Sequence, residues 1–131
     1  MFRESALRRG KIGDQMIDAL QPAALGSSGQ DAVKEILADI TGNRLLAAEK
    51  VYAFLSSGGS AHDLVDASRR ALFLKGDNAH DYKFSTAVWE DYWHVSPEFR
   101  NRFLAAAVFN LRGSGDRDNE LVQRTRAALE A

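Results

Sequence analysis

The sequence predicts an all-α fold, a compact bundle of five to six helices around a central apolar helix at about 96–112. Three observations predict it. Apolar residues recur at spacings of three and four along most of the chain, the period of one face of a helix. Alternating β-branched runs, the mark of strands, are scarce. The prolines are only Pro22 and Pro97, and most of the ten glycines stand between the periodic stretches, where glycine ends a helix.

Taken in order, a short helix over Gly10 to Leu20 places Ile12, Met16, Ile17 and Leu20 on one side. Pro22 to Gly29, containing Gly26-Ser27-Ser28-Gly29, reads as a flexible link. Residues 1–29 therefore form an N-terminal short helix and flexible Gly/Ser segment, and residues 30–131 the helical bundle domain. The bundle opens with a helix over Gln30 to Thr41, with Val33, Ile36, Leu37 and Ile40 on its inner face and Gly42 as its stop. A helix over Asn43 to Ser57 carries Leu45, Leu46, Val51, Tyr52, Phe54 and Leu55, and Gly58-Gly59 ends it. The next begins at Ser60, where Ser60-Ala61-His62-Asp63 is a capping box with aspartate in the acidic position. It buries Leu64, Val65, Ala71, Leu72 and Leu74 and closes at Gly76.

A helix over Asn78 to His94 follows. The one after it has the strongest start, with Ser96 as N-cap, Pro97 at the first helical position and Glu98 in the first turn. It runs to Arg112. Phe103 to Phe109 is apolar on most sides, which places this helix at the centre. The last helix spans Asp116 to Leu129, with Leu121, Val122, Thr125 and Leu129 facing in.

Composition narrows the function. Seventeen basic and eighteen acidic residues give a net charge of −1, so no basic field draws the chain to nucleic acid or to an anionic membrane. The absence of cysteine removes disulfides, thiolate metal ligation and thiol catalysis and fits a cytoplasmic location. No apolar run is long enough to span a bilayer, and the basic start Met1 to Arg9 lacks the apolar stretch of a signal peptide. Phosphate-loop, nucleophile-elbow and zinc-protease motifs are missing.

The informative segment is the helix over 78–94, which holds two of the three histidines, both tryptophans and two of the three tyrosines. At roughly 100° per residue, His80, Phe84, Ala87, Asp91 and His94 share one stripe, flanked by Val88 and Val95, and this stripe is expected to be the buried face. Asp91 and His94 lie three apart, a spacing that lets a carboxylate and an imidazole share a metal ion. Glu49, Asp63 and Asp66 are the available further donors. Without a metal, Asp91 needs a cationic partner such as Arg69 or Arg70.

The polar turn from Lys75 into the helix brings Lys75, His80, Asp81 and Lys83 near a helix N-terminus, a favourable place for an anion, and Glu90 adds a charge further along. Non-covalent haem on His62, His80 or His94 is a further option, since it needs only one histidine in an apolar pocket. No cofactor is expected from any motif. Trp89 and Trp93 lie opposite the stripe. Covered by another helix they are ordinary core; at the surface, with Tyr82, they form an aromatic contact for a protein partner or a second copy of the chain, because Trp and Tyr are favoured interface anchors.

The expected function is a non-catalytic helical protein-interaction or self-association module, or an accessory domain of a larger assembly. The alternative is a bundle that binds a ligand or metal, with or without a catalytic step, through the His/Asp/Glu residues of 80–94.

Overall fold

The computed structural model describes residues 15–131. Six α-helices and no strands occur among them. They are α1 (Gly29–Gly42), α2 (Arg44–Ser56), α3 (Ala61–Lys75), α4 (Ala79–Tyr92), α5 (Pro97–Ala107), which continues into a 3-10 turn over Val108–Asn110, and α6 (Glu120–Leu129). None is long and apolar enough to cross a membrane, among the described residues.

Local chemistry sets the helix starts. The Asn43 side chain accepts from the Leu46 N–H, Ser60 from the Asp63 N–H, and Asn78 from the N–H groups of both His80 and Asp81. Each satisfies donors that the first helical turn leaves open. Ser96 makes no such bond, and Pro97 starts α5 through its fixed φ instead. The expected helix over 10–20 is not found where it can be seen. Residues 15–20 form turns, with the Ala19 N–H on the Met16 carbonyl and the Leu20 N–H on the Ile17 carbonyl. Residues 10–14 lie outside the described part. Only Leu20 of this stretch is buried, so no continuous apolar face exists to hold a helix there.

α2 lies between α1 and α5 and packs on both. Ala47, Ala48 and Val51 on α2 and Ala105 on α5 are fully buried, and such small residues let helices approach closely. α5 also packs on α4, and α3 bridges α1 and α4. The core is completed by Ile36 and Ile40 of α1, Leu64 and Leu72 of α3, and Leu104, Val108 and Leu111 at the far end of the α5 segment. α5 is not buried all round, because Phe99 and Phe109 stand exposed on its other side.

Two polar anchors fix the connections. Lys50 of α2 reaches both Glu35 and Asp39 of α1 at 2.6 Å. Glu35 also accepts from the Gly26 N–H and the Ser27 hydroxyl, so the Gly/Ser segment is tied to the bundle. The hydrogen bond from Lys50, with those from Ser27 and Gly26, holds the Glu35 carboxyl down to about 2. On the far side, the turn after Leu111 crosses the end of α1. There the Ser114 N–H donates to the Leu37 carbonyl at 2.9 Å and the Gly115 N–H to the Thr41 hydroxyl at 3.1 Å. The approach at Gly113 is so close that a Cβ there would meet the Thr41 backbone nitrogen at 2.6 Å.

Gly113→Ala is therefore expected to destabilise the protein by about 2 kcal/mol, the usual scale of overpacking, measured by urea unfolding. A depressed carboxyl stabilises the fold above its ordinary pKa, 4.5 for glutamate, and loses that contribution as pH falls towards its folded value. Glu35→Gln should thus be less stable than wild type at pH 7, and the gap should close between about pH 4.5 and 2, as read from denaturation curves across that range.

Candidate interaction surface

The face that α4 turns inward is Ser85, Val88, Trp89 and Tyr92, roughly opposite the stripe expected from the sequence. His80, Ala87, Asp91 and His94 are exposed, and Phe84 is half-buried. The reason is size. Trp89 and Tyr92 bury far more apolar area than Phe84 and Ala87, so they set the orientation of the helix, and Ser85 is small enough to follow them inside. Trp89 is only 6% exposed.

The candidate ligand residues do not converge. Lys75 is paired with Asp118 at 2.6 Å. Asp81 is paired with Arg112 at 2.5 Å, and Arg112 also reaches Asp77 at 3.0 Å. Burial works against the Asp81 charge, but the hydrogen bond from Arg112 and the Asp77 N–H outweigh it and hold the carboxyl below its usual range. These two pairs join the α3–α4 corner to the chain that follows α5. His80, Lys83 and Glu90 face solvent, with Lys83 and Glu90 beside a shallow hollow that also touches Tyr82, Thr86 and Ala87.

Asp91 does not take Arg69 as its partner. Arg69 pairs with Asp66 at 3.1 Å, and its guanidinium lies 5.3 Å from the centre of the Trp89 ring. Among the described residues, no group of three His, Asp or Glu side chains stands close enough to share an ion. The three histidines are all exposed. His62 stacks on Trp93 with ring centres 4.5 Å apart, and Tyr92 meets Trp93 edge-on.

Of the three aromatics expected to form a contact, Trp89 is core, while Tyr82 and Trp93 are each about two-fifths exposed. They are eleven residues apart on α4, about 16 Å along the axis, and so belong to different surfaces.

Tyr82 belongs to a surface that the sequence did not reveal. α6 is amphipathic, yet none of its residues is buried. Leu121 and Leu129, expected to face in, are 69% and 83% exposed. α6 is held at its start by polar contacts. The Asn119 side chain accepts from the Val122 N–H and donates to the Phe73 and Gly76 carbonyls at 2.9 and 3.1 Å. Its backbone N–H donates to the Leu74 carbonyl at 2.8 Å. One asparagine thus caps the start of α6 and the end of α3 together. Asp118 holds Lys75 on one side and Arg126 on the other, at 3.3 Å. The Lys75 hydrogen bond lowers its carboxyl pKa, against the opposing effect of burial, and Arg126 adds to the lowering.

Between α6 and the α3–α4 corner this joint leaves a largely apolar groove of about 680 Å³, lined by Phe73, Leu74 and Tyr82 on one wall and Leu121, Val122 and Thr125 on the other. Phe73 is 68% exposed. The one signal available in the sequence was Phe73 itself, a large apolar residue just past Leu72 and off the stripe of Leu64, Val65, Ser68, Ala71 and Leu72 that α3 buries. A second apolar hollow, beside Met16, Ile17, Phe99 and Phe103, lies where the described chain begins.

The chain matches no protein-family model, no curated protein and no solved structure.

Because α6 rests on the Asn119 joint rather than on buried side chains, Asn119→Ala should loosen α6, and with it the end of α3 that Asn119 also caps, but not the rest of the bundle. Backbone amides of 121–129 are expected to exchange at least about fivefold faster, matching the ~1 kcal/mol or more of a lost cap, while those of α2 keep their protection. Hydrogen–deuterium exchange resolved by peptide reads both.

Proposed function

We propose that this chain is a non-catalytic helical module that binds a protein surface through the groove between α6 and the α3–α4 corner. The observation that carries this reading is that an amphipathic helix leaves its apolar side unburied. Leu121 and Leu129 face solvent, and Phe73 and Tyr82 stand exposed across the groove. Leaving such a face open costs hydration free energy, and exposed apolar patches of this kind mark contact sites. Tyr82 adds a ring with a polar edge, of the type favoured as an interface anchor. Its hydroxyl lies 3.3 Å from the Gly76 carbonyl, which holds the ring at the rim.

The ligand- or metal-binding reading of 80–94 has thinner support. Of the candidate ligand residues, Lys75 and Asp81 are committed to ion pairs within the fold, His80, Asp91 and His94 face solvent, and Lys83 and Glu90 share a shallow hollow that none of these others lines.

The test places a photo-cross-linking amino acid, p-benzoylphenylalanine, at Leu121 in the full chain expressed in cells, with the same group at exposed Thr86 as the control. Illumination should give a protein adduct at 121 and none above background at 86, and adding Phe73→Asp should abolish it. Equal labelling at both positions, or none at 121, would contradict the proposal. An adduct to a second copy and an adduct to a different protein both support a contact surface, and they separate the inference that follows.

A further inference from the structure

We infer that the occupant of this groove is a second copy of the same chain, docked so that the two α6 helices run antiparallel about a two-fold axis near Val122. The inference rests on the interaction reading above. It adds the partner, the orientation and the residues that select them.

Charge placement on α6 selects the partner. Looking along the helix at roughly 100° per residue, Ala128, Leu121, Thr125, Leu129 and Val122 make the apolar arc. Glu120 and Arg124 lie together on one flank of it, one turn apart and opposite in sign. Both are exposed, and neither has an ion-pair partner among the described residues, whereas Arg126 on the other flank is engaged by Asp118. In an antiparallel helix pair, flanks of the same side meet. A two-fold axis at Val122 then sets Glu120 of each copy against Arg124 of the other, giving two equivalent ion pairs from one self-complementary patch, as a two-fold interface requires. A parallel arrangement would instead set this flank against the opposite one, which carries Arg126, already engaged by Asp118, and would bring Glu120 and Arg124 of the two copies together in neither pair.

The same register explains Leu129, the most exposed large apolar residue among the described residues. It lies seven residues past the axis, about 10 Å, beyond the start of the other copy's α6. That is where the groove is walled by Gly76, Asp77, Tyr82 and Asn119, so Leu129 of each copy enters the mouth of the other's groove beside Tyr82. Each copy thus supplies both a ridge and a slot. A net charge of −1 places little repulsion between copies.

Sedimentation velocity on the full chain over a wide concentration range tests this with charge reversal. Wild type should dimerise reversibly. Glu120→Arg and Arg124→Glu, each placing like charges face to face twice, should weaken the dimer roughly tenfold, and the double reversal should restore it. Arg124→Glu leaves the first turn of α6 untouched, so it carries the test even if Glu120→Arg costs helix, which circular dichroism reports. A strict monomer at every concentration overturns the second copy as occupant and leaves the cross-link at Leu121 to decide the module reading. A dimer indifferent to all three variants, or one that the double reversal fails to restore, overturns the antiparallel register.

Discussion

The close approach of α2 to its neighbours is the constraint on which the rest of the structure depends. Ala47, Ala48 and Val51 on α2 are completely buried, as are Ile36 and Ile40 on α1 and Ala105 on α5. Small side chains on α2 and α5 let the helices pack tightly, and large aliphatic ones on α1 fill the space that remains. Lys50, held between Glu35 and Asp39, closes the edge of the α1–α2 contact with charge. α3 and α4 then cover the remaining side. α6 stands outside these five helices, with none of its residues buried. It is attached to the outside through Asp118 and Asn119, and its apolar residues become part of the molecular surface.

That attachment gives α6 a different kind of stability from the rest of the bundle. The five packed helices resist opening because opening any of them exposes apolar area. α6 is joined by a few hydrogen bonds and by two ion pairs on Asp118, and elements with little buried surface sit at the low end of local stability. A helix of ten residues is marginal alone, so covering its apolar face would also strengthen the helix. Folding of α6 and binding at its groove are coupled in this way, and the polar joint sets where the coupling acts.

Much of the fold was legible because its signals are local. Asn43, Ser60 and Asn78 are caps within a turn of the N–H groups they satisfy, Pro97 pre-sets its own φ, and Gly58 and Gly76 stand where helices stop. The failures have physical causes of another kind. On α4, periodicity offered two opposed faces, one with Phe84 and Ala87 and one with Trp89 and Tyr92. The larger aromatic area won, which turned Asp91 and His94 out to solvent.

On α6, periodicity correctly showed an amphipathic helix, but it cannot say whether the apolar side meets this chain's own core or something else. The pairs Lys75–Asp118 and Arg112–Asp81 link residues 43 and 31 positions apart, and no local pattern announces them. They tie the polar corner before α4 to the chain that follows α5. Tyr82 was picked out as a contact residue and stands at the groove. Phe73 and Leu121, which also line it, do not stand out as contact residues in the sequence.

The most direct test of the account is hydroxyl-radical footprinting of the dilute chain, with the reactivity of each side chain read by mass spectrometry. An α6 whose apolar side is open within the fold predicts that Phe73, Leu121 and Leu129 are oxidised as readily as exposed Phe99, while Phe54 and Leu104 of the core are protected. Protection of Leu121 and Leu129 to the level of Phe54 in dilute protein would mean that α6 packs into its own bundle, and the surface described here would not exist.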